Sequence, residues 1–203
     1  KSLGNFFTLR DVLQRYQPEV VRLFILSSHY RGPLNYANEN LDHAKASLTR
    51  LYTALRGLPV MDTPAEESWR VRFTQAMDDD FNTPEALAVL FDLVRELNRL
   101  RIEDETMAAQ LGTTLKQLGG FLGLLQSDPD TFLHGHTIDT AHVTGCTSNT
   151  ESYSSTRTQQ LIDQRTTARK AKNWAEADRI RAMLQEAGIV LEDTSKGTIW
   201  RRE

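Results

Sequence analysis

NTPEALAVLFDLVRELNRL, residues 82–100, is the clearest helix signal in this chain. Its first four residues are typical of a helix start, because a side-chain oxygen can accept hydrogen bonds from free backbone N–H groups and proline suits the first turn. The sequence does not decide which of them is the cap. The apolar residues that follow recur at steps of three or four and predict one broad buried face: Leu87, Leu90, Phe91, Val94, Leu97 and Leu100. A helix of this kind is stable mainly through packing of that face on other helices.

The residues before this helix also contain helix-start signals followed by apolar residues at helical spacing. Thr8 and Asp11 resemble a capping box that opens a short helix, and Pro18 suits the first turn of a second one. Asn38 is predicted to cap a long helix with leucines at three- and four-residue steps, for which Gly57 is the C-terminal stop.

Two further helices are predicted on either side of residues 82–100. One begins near Pro64, where proline and glutamates suit a first turn. The residues expected near its buried side are Val71, Phe73 and Met77. The other runs from about Met107 to Leu125 and carries five leucines at helical spacing. An antiparallel helical bundle over residues 36–126 is the economical fold for this set.

The character of the sequence changes after residue 126. Residues 127–156 contain 12 serines and threonines and no lysine or arginine, and they are predicted to form a flexible Ser/Thr-rich linker. Helices are predicted over 159–172 and 174–187, followed by two short strands around a turn. The predicted fold class is therefore predominantly all-α, with a small α+β module of two helices and a β-hairpin over residues 157–203.

Composition and charge exclude several classes of protein. The chain has 203 residues, 39% of them hydrophobic and 25% charged, which is typical of a soluble globular protein. It shows neither an apolar run long enough to cross a bilayer nor a secretion signal, so a cytoplasmic protein with no membrane partner is expected. Residues 1–156 carry 14 Lys/Arg and 20 Asp/Glu, whereas residues 157–203 carry 10 and 7. A polyanion would therefore be favoured at the tail.

Cysteine and histidine usage argues against a metal site. Cys146 is the single cysteine, which excludes an internal disulfide and leaves no Cys-x-x-Cys pair for a conventional zinc site. His134, His136 and His142 cluster in the Ser/Thr-rich stretch, where no helix is predicted to hold them in a ligand geometry. No metal is predicted for this chain.

No catalytic constellation stands out. Asp78-Asp79-Asp80 offers oxygen ligands for magnesium, but consecutive helical residues point about 100° apart. An acidic lead-in to a helix N-terminus is the favoured interpretation. Gly119, Gly120 and Gly123 follow no predicted strand, so close helix packing is expected of them and not a dinucleotide site.

The tail, residues 157–203, contains several basic residues close in sequence to a tryptophan. Trp174 stands at the predicted turn between two helices, and the cations near it are Arg169, Lys170, Lys172, Arg179 and Arg181. Proteins read unpaired RNA by stacking bases on aromatic rings and by hydrogen bonds from charged groups to base edges. Two interpretations stay open from the residues alone: an RNA-binding face, or a solvated basic face with Trp174 packed in the module's small core.

Motifs along nearly the whole chain resemble, in order, the cysteinyl-tRNA synthetases, a family of class I aminoacyl-tRNA synthetases. Lys1-Ser2-Leu3-Gly4-Asn5-Phe6 is similar to the end of the KMSKS signature loop, with its first three residues missing. The other matching motifs are Arg31-Gly32-Pro33-Leu34-Asn35-Tyr36, Asn40-Leu41, Met77-Asp78-Asp79-Asp80-Phe81-Asn82-Thr83-Pro84, Gly188-Ile189-Val190-Leu191-Glu192-Asp193, Gly197-Thr198 and Trp200-Arg201-Arg202. A related ligase that joins cysteine to an amino sugar shares the front of this pattern but lacks an anticodon domain.

The resemblance implies a division of labour. Residues 1–35 would hold the signature-loop end and a stem-contact region, residues 36–126 a helical tRNA-binding domain, and residues 157–203 an anticodon-binding module. The family attaches cysteine to tRNA-Cys with ATP and magnesium, and it holds a zinc ion in its catalytic domain. Lys1 matches the signature-loop lysine that neutralises ATP phosphates.

The resemblance also implies what this chain lacks. The nucleotide-binding fold, the His-Ile-Gly-His motif and the zinc-bound cysteine pocket are absent from the sequence. The chain is therefore expected to be a C-terminal fragment, inactive by itself and without a cofactor of its own. Its expected partners are tRNA-Cys and the missing catalytic domain, and the parent enzyme is expected to be monomeric.

The same resemblance assigns the anticodon contacts. Arg169, Trp174, Asp178 and Asp193 fall on the positions at which the family reads the anticodon GCA, with Trp174 stacking on a base and the three charged groups bonding base edges. The linker is longer and of different composition than the family leads one to expect. The alternative function is a helical protein-interaction module with a basic tail and no RNA specificity, in which Trp174 anchors a partner protein.

Overall fold

The computed structural model describes residues 8–63, 67–135, 155–194 and 197–202. These residues form nine α-helices and one two-stranded antiparallel sheet. In chain order the helices are α1 (Leu9–Leu13), α2 (Pro18–Leu26), α3 (Asn38–Leu55), α4 (Glu67–Asp78), α5 (Thr83–Glu103), α6 (Glu105–Phe121), α7 (Pro129–Leu133), α8 (Ser155–Lys170) and α9 (Trp174–Glu186), and the strands are β1 (Ile189–Thr194) and β2 (Gly197–Arg202). The chain divides into two compact units, Lys1–Pro129 and Asp130–Glu203. The predicted fold class, predominantly helical with a small α+β module, is confirmed.

The helix starts follow local hydrogen bonding. The capping box of α1 is present, because the Thr8 hydroxyl accepts from the Asp11 N–H while the Asp11 carboxylate accepts from the Thr8 N–H at 3.0 Å. The cap of α5 is Asn82, whose side-chain oxygen accepts from the backbone N–H of Glu85 at 3.3 Å. The prediction that Asn38 caps α3 was wrong: Asn38 is the first helical residue, and the cap position is Ala37, whose side chain can accept no hydrogen bond.

The core of the first unit lies around α5, which packs against α3, α4 and α6. Of its predicted apolar face, Phe91 and Leu100 are only half-buried, and the other four residues are fully buried. On α4, Phe73 is buried as expected, but Val71 is 45% exposed, so its predicted inward position was wrong. This helix presents a narrower apolar face than its sequence indicated.

Two glycines near the end of α6 pack closely against other side chains. The helix ends at Phe121, not at Leu125 as predicted, and Gly123 has a left-handed φ of 67°. A Cβ at Gly123 would lie 1.8 Å from Nη1 of Arg22, the same nitrogen that donates to the Gly123 carbonyl at 2.9 Å. A Cβ at Gly119 would lie 2.8 Å from the Leu125 side chain. Close packing is therefore confirmed at Gly119 and Gly123, whereas Gly120 is exposed.

A partly buried hydrogen-bond cluster joins α2, α3 and the segment after α6. The Tyr52 hydroxyl donates to Glu19 Oε2 at 2.8 Å and accepts from the Ser127 N–H at 3.1 Å. The other oxygen of Glu19 accepts from the backbone N–H of Leu125. Burial raises the pKa of the Tyr52 hydroxyl well above its usual range, so it stays a neutral donor at any physiological pH.

The C-terminal module, residues 155–202, consists of α8, α9, β1 and β2. The strands pair antiparallel, with Leu191 opposite Trp200 and Asp193 opposite Thr198. Its core contains Leu161, Ile162, Ile180, Leu184, Ile189 and Trp200. The two predicted helices and the hairpin are all present, and both strands are longer than expected.

The predicted linker is only partly described. Its early residues include the short helix α7, in which Phe132 and Leu133 are buried, so the segment after residue 127 does not begin as irregular chain. Residues 136–154, with Cys146, His136 and His142, lie outside the described residues. Among the helices that the structure describes, none has the length and apolar character needed to cross a membrane.

Candidate nucleic-acid interface

A tight turn between α8 and α9 presents Trp174 to solvent. The backbone N–H of Asn173 donates to the Ala168 carbonyl at 2.9 Å, which closes α8, and the Asn173 side-chain oxygen accepts from the Glu176 N–H at 3.3 Å, which opens α9. Trp174 is the first residue of α9 and is 59% exposed. Of the two interpretations left open by the sequence, packing of Trp174 in the module's core is wrong.

The buried tryptophan of the module is Trp200. It is 4% exposed within the core and stacks on His134, with ring centroids 3.9 Å apart and an interplanar angle of 9°. The sequence predicted Trp200 as a strand residue, but nothing in it indicated the partner, because His134 falls in the predicted linker. One tryptophan thus stabilises the module and the other is available to a ligand.

Asp178 lies one helical turn after Trp174, at a spacing that puts both on the same face of α9. It is exposed, whereas Ala177 beside it is buried in the module. An indole face and a carboxylate that accepts hydrogen bonds therefore stand together on the solvent side of this helix.

The structure brings Arg169 and Asp193 together although they are far apart in sequence. Nη1 of Arg169, in the last turn of α8, donates to Oδ2 of Asp193 on β1 at 2.9 Å. Both side chains are 45% exposed, so the pair stands at the surface. A guanidinium donor and a carboxylate acceptor therefore lie side by side, a combination that can bond to base edges.

Sequence reasoning missed Arg165, which contacts the same carboxylate from inside the module. Its Nη1 and Nη2 donate to Oδ1 and Oδ2 of Asp193, both at 3.1 Å, and the residue is only 7% exposed. Thr198 adds a hydrogen bond from its hydroxyl to Oδ1 at 2.6 Å. The available signal was weak: Arg165 stands at helical spacing from three apolar residues of α8. The inward face of the helix comprises Thr158, Leu161, Ile162, Arg165 and Ala168. An arginine on such a face requires an internal anion.

These contacts keep Asp193 ionised. The hydrogen bonds from the Arg165 guanidinium and the Thr198 hydroxyl hold the pKa of its carboxyl well below the usual range, against the opposing effect of burial. At neutral pH, Asp193 can therefore only accept hydrogen bonds.

The other cations near Trp174 are exposed: Lys170, Lys172, Arg179 and Arg181. Arg179 pairs with Glu176 of its own helix at 2.7 Å, which also lowers the pKa of that glutamate. The net positive charge around Trp174 therefore comes mainly from Lys170, Lys172 and Arg181.

Outside the module, the acidic run Asp78–Asp80 does not converge on a site. Asp80 leaves the helix with a φ of 52° and pairs with Arg31 at 3.1 Å, while its Oδ1 accepts from the Tyr30 hydroxyl at 2.8 Å. Among the residues that the structure describes, no group of three or more His, Cys, Asp or Glu is placed to hold a metal. Lys1 lies outside the described residues.

Comparison with protein-family models gives three matches in order along the chain. Residues 1–46 match the family "tRNA synthetases class I (C) catalytic domain", residues 72–126 match the DALR domain, and residues 155–201 match the cysteinyl-tRNA ligase anticodon binding domain. The third match covers nearly all of the C-terminal module, including Trp174 and the Asp193 cluster.

Comparison with curated proteins points to the same family. The chain is 55% identical to the cysteine–tRNA ligase of Methylococcus capsulatus, 57% to that of Thioalkalivibrio sulfidiphilus and 56% to that of Halorhodospira halophila. Each alignment covers 100% of this chain and 41–42% of the relative, so the chain spans about two fifths of the length of these relatives. Over its whole length the chain is therefore similar to the C-terminal part of the cysteine–tRNA ligases.

Proposed function

We propose that the C-terminal module reads the anticodon of the tRNA for cysteine, and that the helices before it contact the rest of that tRNA. The observation that carries this proposal is the exposed Trp174 at the turn between α8 and α9, with acceptors and donors around it. The relatives' printed name and the description of the anticodon binding domain support the assignment.

Each of the four side chains has a distinct task in this proposal. Trp174 stacks on an unpaired base, which stabilises binding by about 1–3 kcal/mol per base in other proteins. Asp178 accepts hydrogen bonds from amino and imino groups, which the guanine of the anticodon GCA offers on its base-pairing edge. Arg169 donates as a planar fork. Asp193 supplies a second acceptor beside Arg169.

The preceding residues have a supporting role. We propose that residues 1–35 contain the signature-loop end and a stem contact, residues 36–126 form a tRNA-binding helical domain, and residues 127–156 connect it to the reader over 157–203. Contacts to phosphates would supply most of the affinity, and the anticodon most of the selectivity.

The catalytic function belongs to the whole enzyme. We propose that the parent uses ATP and magnesium to attach cysteine to tRNA-Cys in the cytoplasm as a monomer, with a zinc ion in its catalytic domain. Lys1 would neutralise ATP phosphates there. Only residues 1–46 match the class I catalytic-domain family, so this chain by itself is proposed to be inactive and to need no cofactor.

The test is binding of the chain to an anticodon stem-loop with GCA and to stem-loops altered at one anticodon base, at two salt concentrations. We expect a preference for GCA of about 1–3 kcal/mol per wrong base, with affinity that falls as salt rises. Trp174→Ala should weaken binding, and Trp69→Ala, a tryptophan of α4, is the matched control. Equal binding to every stem-loop would contradict the proposal and favour a basic surface without RNA specificity.

A further inference from the structure

We propose that Arg165 is a positioning residue for anticodon recognition: it holds the Asp193 carboxylate in the orientation that reads the RNA, without touching the RNA itself. The inference rests on the proposed function of the module, and it concerns a residue outside the four assigned to the anticodon. The inference follows from a difference in burial among the donors to Asp193: Arg165 is buried, whereas Arg169 is at the surface.

The buried Arg165 guanidinium donates hydrogen bonds to both carboxylate oxygens of Asp193. Its two terminal nitrogens lie at 3.1 Å from the two oxygens, a bidentate arrangement that fixes the plane of the carboxylate as well as its position. The Arg165 side chain is 8% exposed, and the helix residues on its face are buried in the module. The guanidinium therefore has little room to move, and it ties α8 to β1.

The other two donors to Asp193 are at the surface. Nη1 of Arg169 and Oγ1 of Thr198 lie at 2.9 Å and 2.6 Å from the carboxylate oxygens. With the two bonds from Arg165, the four acceptor directions of the carboxylate are filled. A base can gain access to Asp193 only if it replaces Arg169 or Thr198, because the bonds from Arg165 are shielded from solvent.

The consequence is a carboxylate that is orientated before RNA arrives. When a base displaces a surface donor, the bonds from Arg165 still define where the remaining acceptor points, so the RNA does not have to order this side chain. Lysine cannot reproduce this, since its ammonium is a point charge and not a planar fork.

The experiment measures discrimination, the ratio of the Kd for a stem-loop altered at one anticodon base to the Kd for GCA, in the full chain. Arg165→Lys is expected to lower this ratio about tenfold at the base that Asp193 contacts, the size of a good bidentate contact. Arg157→Lys, an exposed position in the first turn of α8, is the matched control and should leave the ratio unchanged. In an Asp193→Asn background, Arg165→Lys should have no further effect, because the carboxylate that Arg165 positions is already gone.

Each outcome decides the question. A wild-type chain that shows no discrimination overturns the proposed function and this inference with it. If Arg165→Lys leaves the discrimination ratio unchanged, the inference is overturned and the proposed function stands. The same holds if Arg165→Lys lowers the ratio as much in the Asp193→Asn background as in the wild type. Hydrogen exchange of α8 and α9 reports folding, and if Arg165→Lys unfolds the module, Arg165→Gln, which puts no charge in the buried site, takes its place. Unfolding of both variants makes Arg165 a structural residue alone and overturns the proposal.

Discussion

Replacing Trp200 with alanine is expected to destabilise the C-terminal module strongly, whereas the same replacement at Trp174 is expected to change its stability little. Trp200 is 4% exposed and also stacks on His134, so its removal should cost about 3–5 kcal/mol. A unit as small as Asp130–Glu203 has a free energy of unfolding of about 4–11 kcal/mol, so this loss removes a large part of it. Trp174 is 59% exposed, and its loss should cost less than about 1 kcal/mol.

Hydrogen exchange measured by mass spectrometry on peptides from α8 and α9 tests this prediction in the full chain. A cost of about 3 kcal/mol lowers the protection of these amides at least about a hundredfold in Trp200→Ala, against less than about fivefold in Trp174→Ala. If both variants remain folded, Trp174→Ala should weaken RNA binding more than Trp200→Ala does. Similar protection in both variants would refute the reasoning, because it would mean that Trp174 also contributes to the core.

Three further perturbations test other parts of the structure. Asn82→Ala removes the cap of α5 and should lower the free energy of unfolding of the first unit by about 1 kcal/mol in urea titrations; an unchanged midpoint would contradict the cap. Gly123→Ala should cost at least about 1–2 kcal/mol because of its positive φ and the contact with Arg22, whereas Gly120→Ala, at an exposed helical position, should be neutral or stabilising by up to about 1 kcal/mol. Asp193 has a depressed pKa in the folded state, so its contribution to stability is present above about pH 4 and is lost as the pH falls towards that lower pKa. Below about pH 4, the Tm of the module should therefore decrease with falling pH in the wild type, and decrease less steeply in Asp193→Asn. Parallel curves of Tm against pH would contradict the ion pairs of Asp193 with Arg165 and Arg169.

The helices were predictable because their signals are local. The periodicity of residues 82–100 and the capping box at Thr8 involve contacts within one or two turns, and both are present in the structure. The errors concern details that depend on neighbours. Asn38 is a good cap residue by type, yet the backbone begins the helix one residue earlier, and Val71 faces solvent although it is apolar.

The site was predictable only in part. Family resemblance named Arg169 and Asp193, but their hydrogen bond joins residues 24 positions apart, through the packing of α8 against the hairpin. Arg165 was missed because an arginine in a basic tail is usually a solvated residue, and only the fold shows that this one points inward.

The sequence by itself determined the fold class, the order of the helices and the family resemblance, because amphipathic spacing, caps and motifs are properties of neighbouring residues. The tertiary structure decided which tryptophan is buried and which is exposed, and which arginine holds Asp193. These outcomes depend on which surfaces meet when α8, α9 and the hairpin pack together. Trp174 and Trp200 look alike in the sequence, and burial in the module's core is what assigns Trp200 to stability and leaves Trp174 exposed to solvent.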